Sequence, residues 1–140
     1  MTGKMNESKE MESLIEASKA AMEHAYAPYS GFKVGAAVLG SSGKIYSGCN
    51  VENASYGLSI CAERAAIFKA VCAGERAIRA VAISNSSGKA AFPCGACRQV
   101  MAEFAPADET VHIYLISDGG IETYTLADLL PHAFKYGVLE

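Results

Sequence analysis

The chain has 140 residues, the span of one domain with a real core. Apolar residues make up 51% and charged residues 19%, which excludes a chain disordered throughout. Twelve Lys and Arg against fifteen Asp and Glu give a net charge of −3, which argues against a protein built to grip a phosphate backbone.

Residues 1–7 are expected as a flexible tail and 8–140 as a single domain. Met11, Leu14, Ile15, Ser18, Met22, Ala25 and Tyr26 share one side of a helical period, while Glu12, Glu16, Lys19 and Glu23 fall largely elsewhere. This predicts an amphipathic helix over about 8–25, ended near Pro28. Lys33–Leu39 and Lys44–Val51 are β-prone runs around Ser41-Ser42-Gly43, the pattern of a hairpin. Cys61–Ala73 is Ala-rich and followed by Gly74, a helix with its stop signal. Ala77–Ser84 predicts a buried strand, and Gly95–Phe104 a second helix, opened by Pro93-Cys94 and stopped before Pro106. Val111–Ile116 predicts another buried strand. Ile121–Thr125 predicts a shorter one after Asp118-Gly119-Gly120, and Leu126–Leu130 a helical turn before Pro131. Strands alternating with helices in this order imply an α/β protein, one sheet covered by helices.

No apolar run reaches the roughly 18 residues of a membrane span. Met1–Glu12 is polar, without the apolar stretch of a secretory signal, so a cytoplasmic protein with no membrane partner is expected. Five cysteines, Cys49, Cys61, Cys72, Cys94 and Cys97, are an odd number, and without an export signal they do not read as a disulfide framework.

Three of these cysteines fall at helix starts: Cys61 opens one helix, and Cys94 and Cys97 open another. Taken alone, the Cys94-Gly95-Ala96-Cys97 pair fits a redox motif, half of a metal site, or chance. A helix N-terminus offers free N–H groups and positive dipole character, which favour the metal-binding thiolate. Two such termini meeting at one point can bind zinc through three sulfurs and keep a position open, the pattern of a catalytic zinc. Cys72 lies three turns along the helix from Cys61 and cannot share its metal, and Cys49 on a strand reads as a small buried residue. Glu63, two residues past Cys61, sits beside the metal as a proton acceptor for activated water more readily than as a ligand. Three thiolates on Zn²⁺ leave a net negative charge, which a guanidinium donating to sulfur offsets; Arg64 is the first candidate for this and Arg98 the second. His24, His112 and His132 lack ligand spacing to the cysteines and read as surface or core residues.

Cys61-Ala62-Glu63-Arg64 and Pro93-Cys94-Gly95-Ala96-Cys97-Arg98-Gln99 form the three-cysteine version of the zinc nucleobase deaminase signature. Two further runs stand beside them: Tyr26 to Ala37 (YAPYSGFKVGAA) and Gly48 to Gly57 (GCNVENASYG). With all four in this order, the chain resembles the small homotetrameric cytidine deaminases of pyrimidine salvage, from about Leu14 to Phe134. The resemblance implies a three-layer α/β/α fold with a five-stranded mixed sheet. It implies hydrolytic deamination of cytidine and 2′-deoxycytidine, with release of ammonia. It implies one Zn²⁺ per chain on Cys61, Cys94 and Cys97, with Glu63 as proton shuttle. It further implies that Asn50 and Glu52 bind the ribose, Phe32 packs in the nucleoside pocket and the Ala62 backbone contacts the pyrimidine. Phe134 matches a C-terminal Phe that reaches a neighbouring subunit's base, and Tyr56 a residue of the subunit contacts, so the active sites lie near interfaces of a homotetramer. Asn50 and Glu52, two apart at a strand end, point to one face and can grip one sugar together.

Three rival readings remain. A blasticidin-S-type deaminase shares the metal site, but the Asn50 to Gly57 run favours a nucleoside. An editing deaminase needs a basic surface for nucleic acid, which the acidic balance does not supply. A non-catalytic zinc module leaves the glutamate beside the open metal position without a task.

Overall fold

The structure, a computed structural model, describes residues 2–136, with side chains from Glu7 onward. Five strands form one mixed sheet: β1 (Val34–Gly40), β2 (Ile45–Cys49), β3 (Ile78–Asn85), β4 (His112–Ser117) and β5 (Gly120–Thr125), in the order β2-β1-β3-β4-β5. The β3–β4 pair is parallel and the other three pairs are antiparallel. Helix α1 (Thr2–Met22) packs on one face. Helices α2 (Ala62–Cys72), α3 (Gly95–Glu103) and the short α4 (Leu126–Leu129) belong to the other. The layers are therefore α/β/α around a five-stranded mixed sheet, as expected.

The burial pattern explains the layering. β1 is buried along nearly its whole length because both of its faces are covered. Ala36 and Val38 join Ile67, Val81, Ile83, Met101, Ile113 and Leu115 under α2 and α3, while Ala37 and Leu39 join Leu14 under α1. Leu14, Ser18 and Ala21 form the buried stripe of α1 at helical spacing. Ser18 is satisfied there, its hydroxyl lying 2.8 Å from the Ile15 carbonyl and 2.7 Å from the Ser84 hydroxyl. Burial of each large side chain in these two cores is worth ~1.5–3 kcal/mol.

Helix α1 differs from its expected span at both ends. Residues 2–7, expected as a tail, continue its helical backbone. It stops at Met22 instead of about residue 25, because Tyr26 turns to pair with the chain leaving β2: its N–H donates to Asn50 O and its carbonyl accepts from Glu52 N. β2 likewise ends at Cys49, since Val51 pairs with Ile60 and Tyr26 instead of with β1. Backbone pairing to distant residues, invisible to local propensity, sets both limits.

Two glycines let the outer layers approach the sheet. A Cβ on Gly35 of β1 would lie 2.0 Å from the Ser18 carbonyl oxygen and 2.5 Å from Met22 N of α1. A Cβ on Gly48 of β2 would lie 2.6 Å from Ala66 N and 2.9 Å from Ala65 Cβ of α2, on the opposite face. Both neighbours include helix backbone, which cannot swing aside. Gly35→Ala is expected to cost at least ~1–3 kcal/mol, the usual range for overpacking, and to lower the melting temperature by several degrees. A thermal melt at or above the wild-type midpoint would show that α1 can shift freely.

Candidate active site

The two helices that start with cysteine bring their first residues together. Cys61 is the N-cap of α2 and Cys94 the N-cap of α3, both with extended backbone, and Cys97 lies in the first turn of α3. The sulfurs of Cys61, Cys94 and Cys97 all lie within 4.8 Å of one another; Cys61 and Cys94 are 3.8 Å apart and Cys94 and Cys97 3.5 Å. A tetrahedral zinc with metal–sulfur bonds of ~2.3 Å needs sulfurs about 3.8 Å apart. The trio therefore fits zinc in donor type and in spacing, with three soft ligands and a fourth position for something else. Cys49 is half-buried and Cys72 exposed, and neither belongs to this cluster.

The charges around the sulfurs follow the same logic. Arg64 Nη2 donates to Cys61 Sγ at 3.4 Å. Hydrogen bonds from Cys97, Arg64 and Cys94 push the Cys61 thiol down to about 5 against the opposing effect of burial, which favours the metal-binding thiolate. Cys97 moves the other way, raised by its hydrogen bond to Cys61 and by burial. The Arg64 guanidinium is held more firmly charged by its bond to Cys61. Arg98, the second candidate for this work, does not touch sulfur. Its Nε donates to Pro93 O at 2.7 Å and its Nη1 to Leu129 O at 2.6 Å.

Glu63 is 5% exposed, a depth at which a carboxylate has to have a reason. Burial pushes its carboxyl up to about 7, with the nearby Cys61 thiolate adding to the rise. It lines a cavity of about 410 Å³ together with Cys61, Cys94, Ala62 and Arg64. Ala62 is the first residue of α2, so its N–H is among those a helix leaves without an intrahelical partner.

Phe32, Asn50 and Glu52 line the same cavity. The Asn50 amide is already engaged at both ends: Oδ1 accepts from Val34 N at 2.8 Å and Nδ2 donates to Phe32 O at 2.8 Å. That leaves one N–H and one lone pair for a ligand. Glu52 accepts from the Ser30 hydroxyl, from Ser30 N at 3.1 Å and from Tyr29 N at 3.0 Å. These bonds, the Ser30 hydroxyl first, hold its carboxyl below the usual carboxylate range. Both side chains thus face the cavity as rigid, oriented groups.

Phe134 is 70% exposed and is not part of this cavity's wall. The cavity also includes Tyr56, which the family resemblance places at subunit contacts, and two residues that the motifs do not single out, Ile60 and Phe92. Phe92 stacks obliquely on Tyr124, with ring centroids 5.2 Å apart. Adjacency was the available signal: Ile60 immediately precedes Cys61, and Phe92 immediately precedes Pro93-Cys94.

Comparison with known proteins agrees with this geometry. The family described as "Cytidine and deoxycytidylate deaminase zinc-binding region" matches residues 8–113. A cytidine deaminase of Sporosarcina psychrophila is 50% identical over 126 residues, 90% of this chain and 92% of its own length. The crystal structure of a cytidine deaminase from Burkholderia pseudomallei superimposes with a TM-score of 0.80 at 51% identity, covering 88% of this chain and 98% of that one. A cytidine deaminase from Mycobacterium tuberculosis gives 0.77 at 38% identity, covering 89% of this chain and 97% of that one. With three sulfurs at zinc spacing beside a buried glutamate, and with these matches along most of its length, the chain belongs to the zinc-dependent cytidine deaminase family.

Proposed function

We propose that the protein hydrolyses cytidine and 2′-deoxycytidine to uridine and 2′-deoxyuridine, consuming one water and releasing one ammonia. The observation that carries this reading is the sulfur triangle, two of whose members, Cys61 and Cys94, line the same cavity as the buried Glu63. Cys61, Cys94 and Cys97 hold one Zn²⁺, whose chemistry when bound is to lower the pKa of water to ~7, so that hydroxide is available at neutral pH.

The remaining work falls to the chain's own groups. A Glu63 oxygen accepts a proton from the attacking water and passes it to ring N3 of the cytosine. It then moves the second proton to the exocyclic nitrogen, which leaves C4 as ammonia. A carboxyl whose ordinary pKa is 4.5 but which sits at about 7 can both take and return a proton near neutral pH. Arg64 offsets the charge of the Cys61 sulfur. The Ala62 backbone contacts the pyrimidine, Phe32 packs against the nucleoside, and Asn50 and Glu52 take the sugar hydroxyls.

The direct test follows cytidine absorbance with purified protein, with and without a chelator. Loss of absorbance that the chelator stops supports the reading; no turnover of cytidine or deoxycytidine by the metal-loaded protein overturns it. Glu52→Gln removes the negative charge and, with the two backbone N–H groups kept on the remaining oxygen, puts an amide nitrogen where Oε2 accepts from the Ser30 hydroxyl. It is expected to raise KM for cytidine about tenfold or more, the scale of a lost hydrogen bond to a charged group. Steady-state kinetics in which KM stays at the wild-type value would remove Glu52 from the sugar site.

The same reading includes a homotetramer, with active sites near its interfaces and Phe134 reaching a neighbour's base. Its support is that large apolar side chains stay exposed on the single chain: Tyr56, which lines the cavity, at 80%, Leu58 at 72% and Tyr136 at 74%. Sedimentation at assay concentration tests it, a monomer being the contrary result. Among the described residues no helix is long and apolar enough to cross a membrane. A cytoplasmic location completes the reading, and cell fractionation checks it.

A further inference from the structure

The three sulfurs are not held alike. Cys97 is buried within α3, and Cys61 is gripped by Arg64, but the side chain of Cys94 is exposed and has little packing to fix it. Its position rests on its backbone, where the buried Pro93 ring precedes it and the neighbouring carbonyls are hydrogen-bonded. Arg98 N donates to Cys94 O at 3.0 Å, the ordinary first helix bond of α3, and the Arg98 side chain adds a bond of its own one residue back, Nε donating to Pro93 O at 2.7 Å. A long helical side chain leans back toward the preceding turn, which brings the guanidinium to Pro93 without strain. The other side of the fork, Nη1, donates at 2.6 Å to Leu129 O, the last residue of α4, where a helix leaves its carbonyls without partners. Gln99, the next residue, donates from Nε2 to Phe134 O at 2.9 Å, so α3 holds both ends of the segment from Leu129 to Phe134.

We propose that Arg98 is a positioning residue that locks the Cys94 turn to the end of α4 and thereby fixes the third sulfur of the zinc site. This rests on the zinc-binding reading of the trio. The planar guanidinium suits the task, since one rigid fork spans two carbonyls on different elements through charge-assisted bonds. A Lys ammonium on a flexible stem reaches one of them at a time and restores part of the effect. A neutral Met of similar length restores none.

The test measures zinc release from loaded wild type, Arg98→Lys and Arg98→Met to a chromophoric chelator, well below the melting temperatures. Arg98→Met is expected to release zinc at least tenfold faster than wild type, with Arg98→Lys between them. Gly35→Ala, destabilised at a distance, serves as control and is expected to release zinc at the wild-type rate. Arg98→Met releasing zinc at the wild-type rate overturns the proposal, and so does equal acceleration in the Gly35→Ala control. If Arg98→Met does not fold, Arg98→Lys decides: faster release supports the proposal and the wild-type rate overturns it. A wild type that binds no zinc at all is a different failure, that of the metal site itself.

Discussion

Glu63→Gln is expected to lose turnover by roughly 10³-fold or more while retaining about one zinc per chain. General acid–base catalysis by one group is commonly worth ~10²–10⁴, and in the proposed reaction one carboxylate moves both protons. The amide keeps the size and most of the polarity of the side chain, so the three sulfurs are untouched and metal content stays as in wild type. Kinetics together with metal analysis checks the pair of outcomes, and a variant with most of its activity would take Glu63 out of the reaction. The same substitution makes a statement about stability. Burial raises the Glu63 carboxyl from an ordinary 4.5 to about 7. A group raised on folding contributes stability that is complete below about 4.5 and is lost as pH rises through about 7. Glutamine has no proton to lose in that window. Metal-free Glu63→Gln is therefore expected to melt at or above the metal-free wild type at pH 8, with the difference shrinking toward pH 4. The protein keeps a carboxylate where it costs stability, as catalytic groups often do.

Cys97→Ser is expected to abolish both zinc retention and activity. Cys97 has no exposed surface, and its sulfur lies 3.5 Å from that of Cys94. A serine hydroxyl is a hard, poorly acidic donor where the site presents soft thiolates, so two sulfurs remain where the metal needs three. Cys72→Ser is the matched control, because Cys72 is exposed and stands outside the cluster. Metal analysis after gel filtration is expected to show near-zero zinc for the first variant and wild-type zinc for the second. Cys97→Ser that keeps its zinc would place the metal elsewhere.

What could be read from the chain alone follows from where the information is local. Cys61, Glu63, Cys94 and Cys97 are legible as helix-start residues because capping is encoded within a few residues, whereas the meeting of the two starts depends on α2, between β2 and β3, and α3, in the parallel β3–β4 crossover, packing on the same face of the sheet. The strands and helices were legible for the same reason, with limits wrong by a few residues where Tyr26 and Val51 pair with distant backbone. The partners of Arg98 are hidden for the opposite reason: Pro93 and Leu129 lie on different elements, and nothing near it in sequence points to a carbonyl 31 residues away. The engaged state of the Asn50 amide was hidden likewise, since its partners Phe32 and Val34 lie across the sheet end.

The close seat of α2 on Gly48 has a consequence for tuning. The atoms a methyl at Gly48 would strike belong to Ala65 and Ala66, less than a turn beyond Glu63 and Arg64. One added carbon there acts as a shim under the front of the helix, lifting acid and guanidinium together by tenths of an ångström without entering the cavity. Gly48→Ala is therefore expected to change kcat through the seat of α2, from a position on an edge strand that does not line the cavity, and steady-state kinetics at the wild-type value would show that the helix absorbs the added carbon elsewhere.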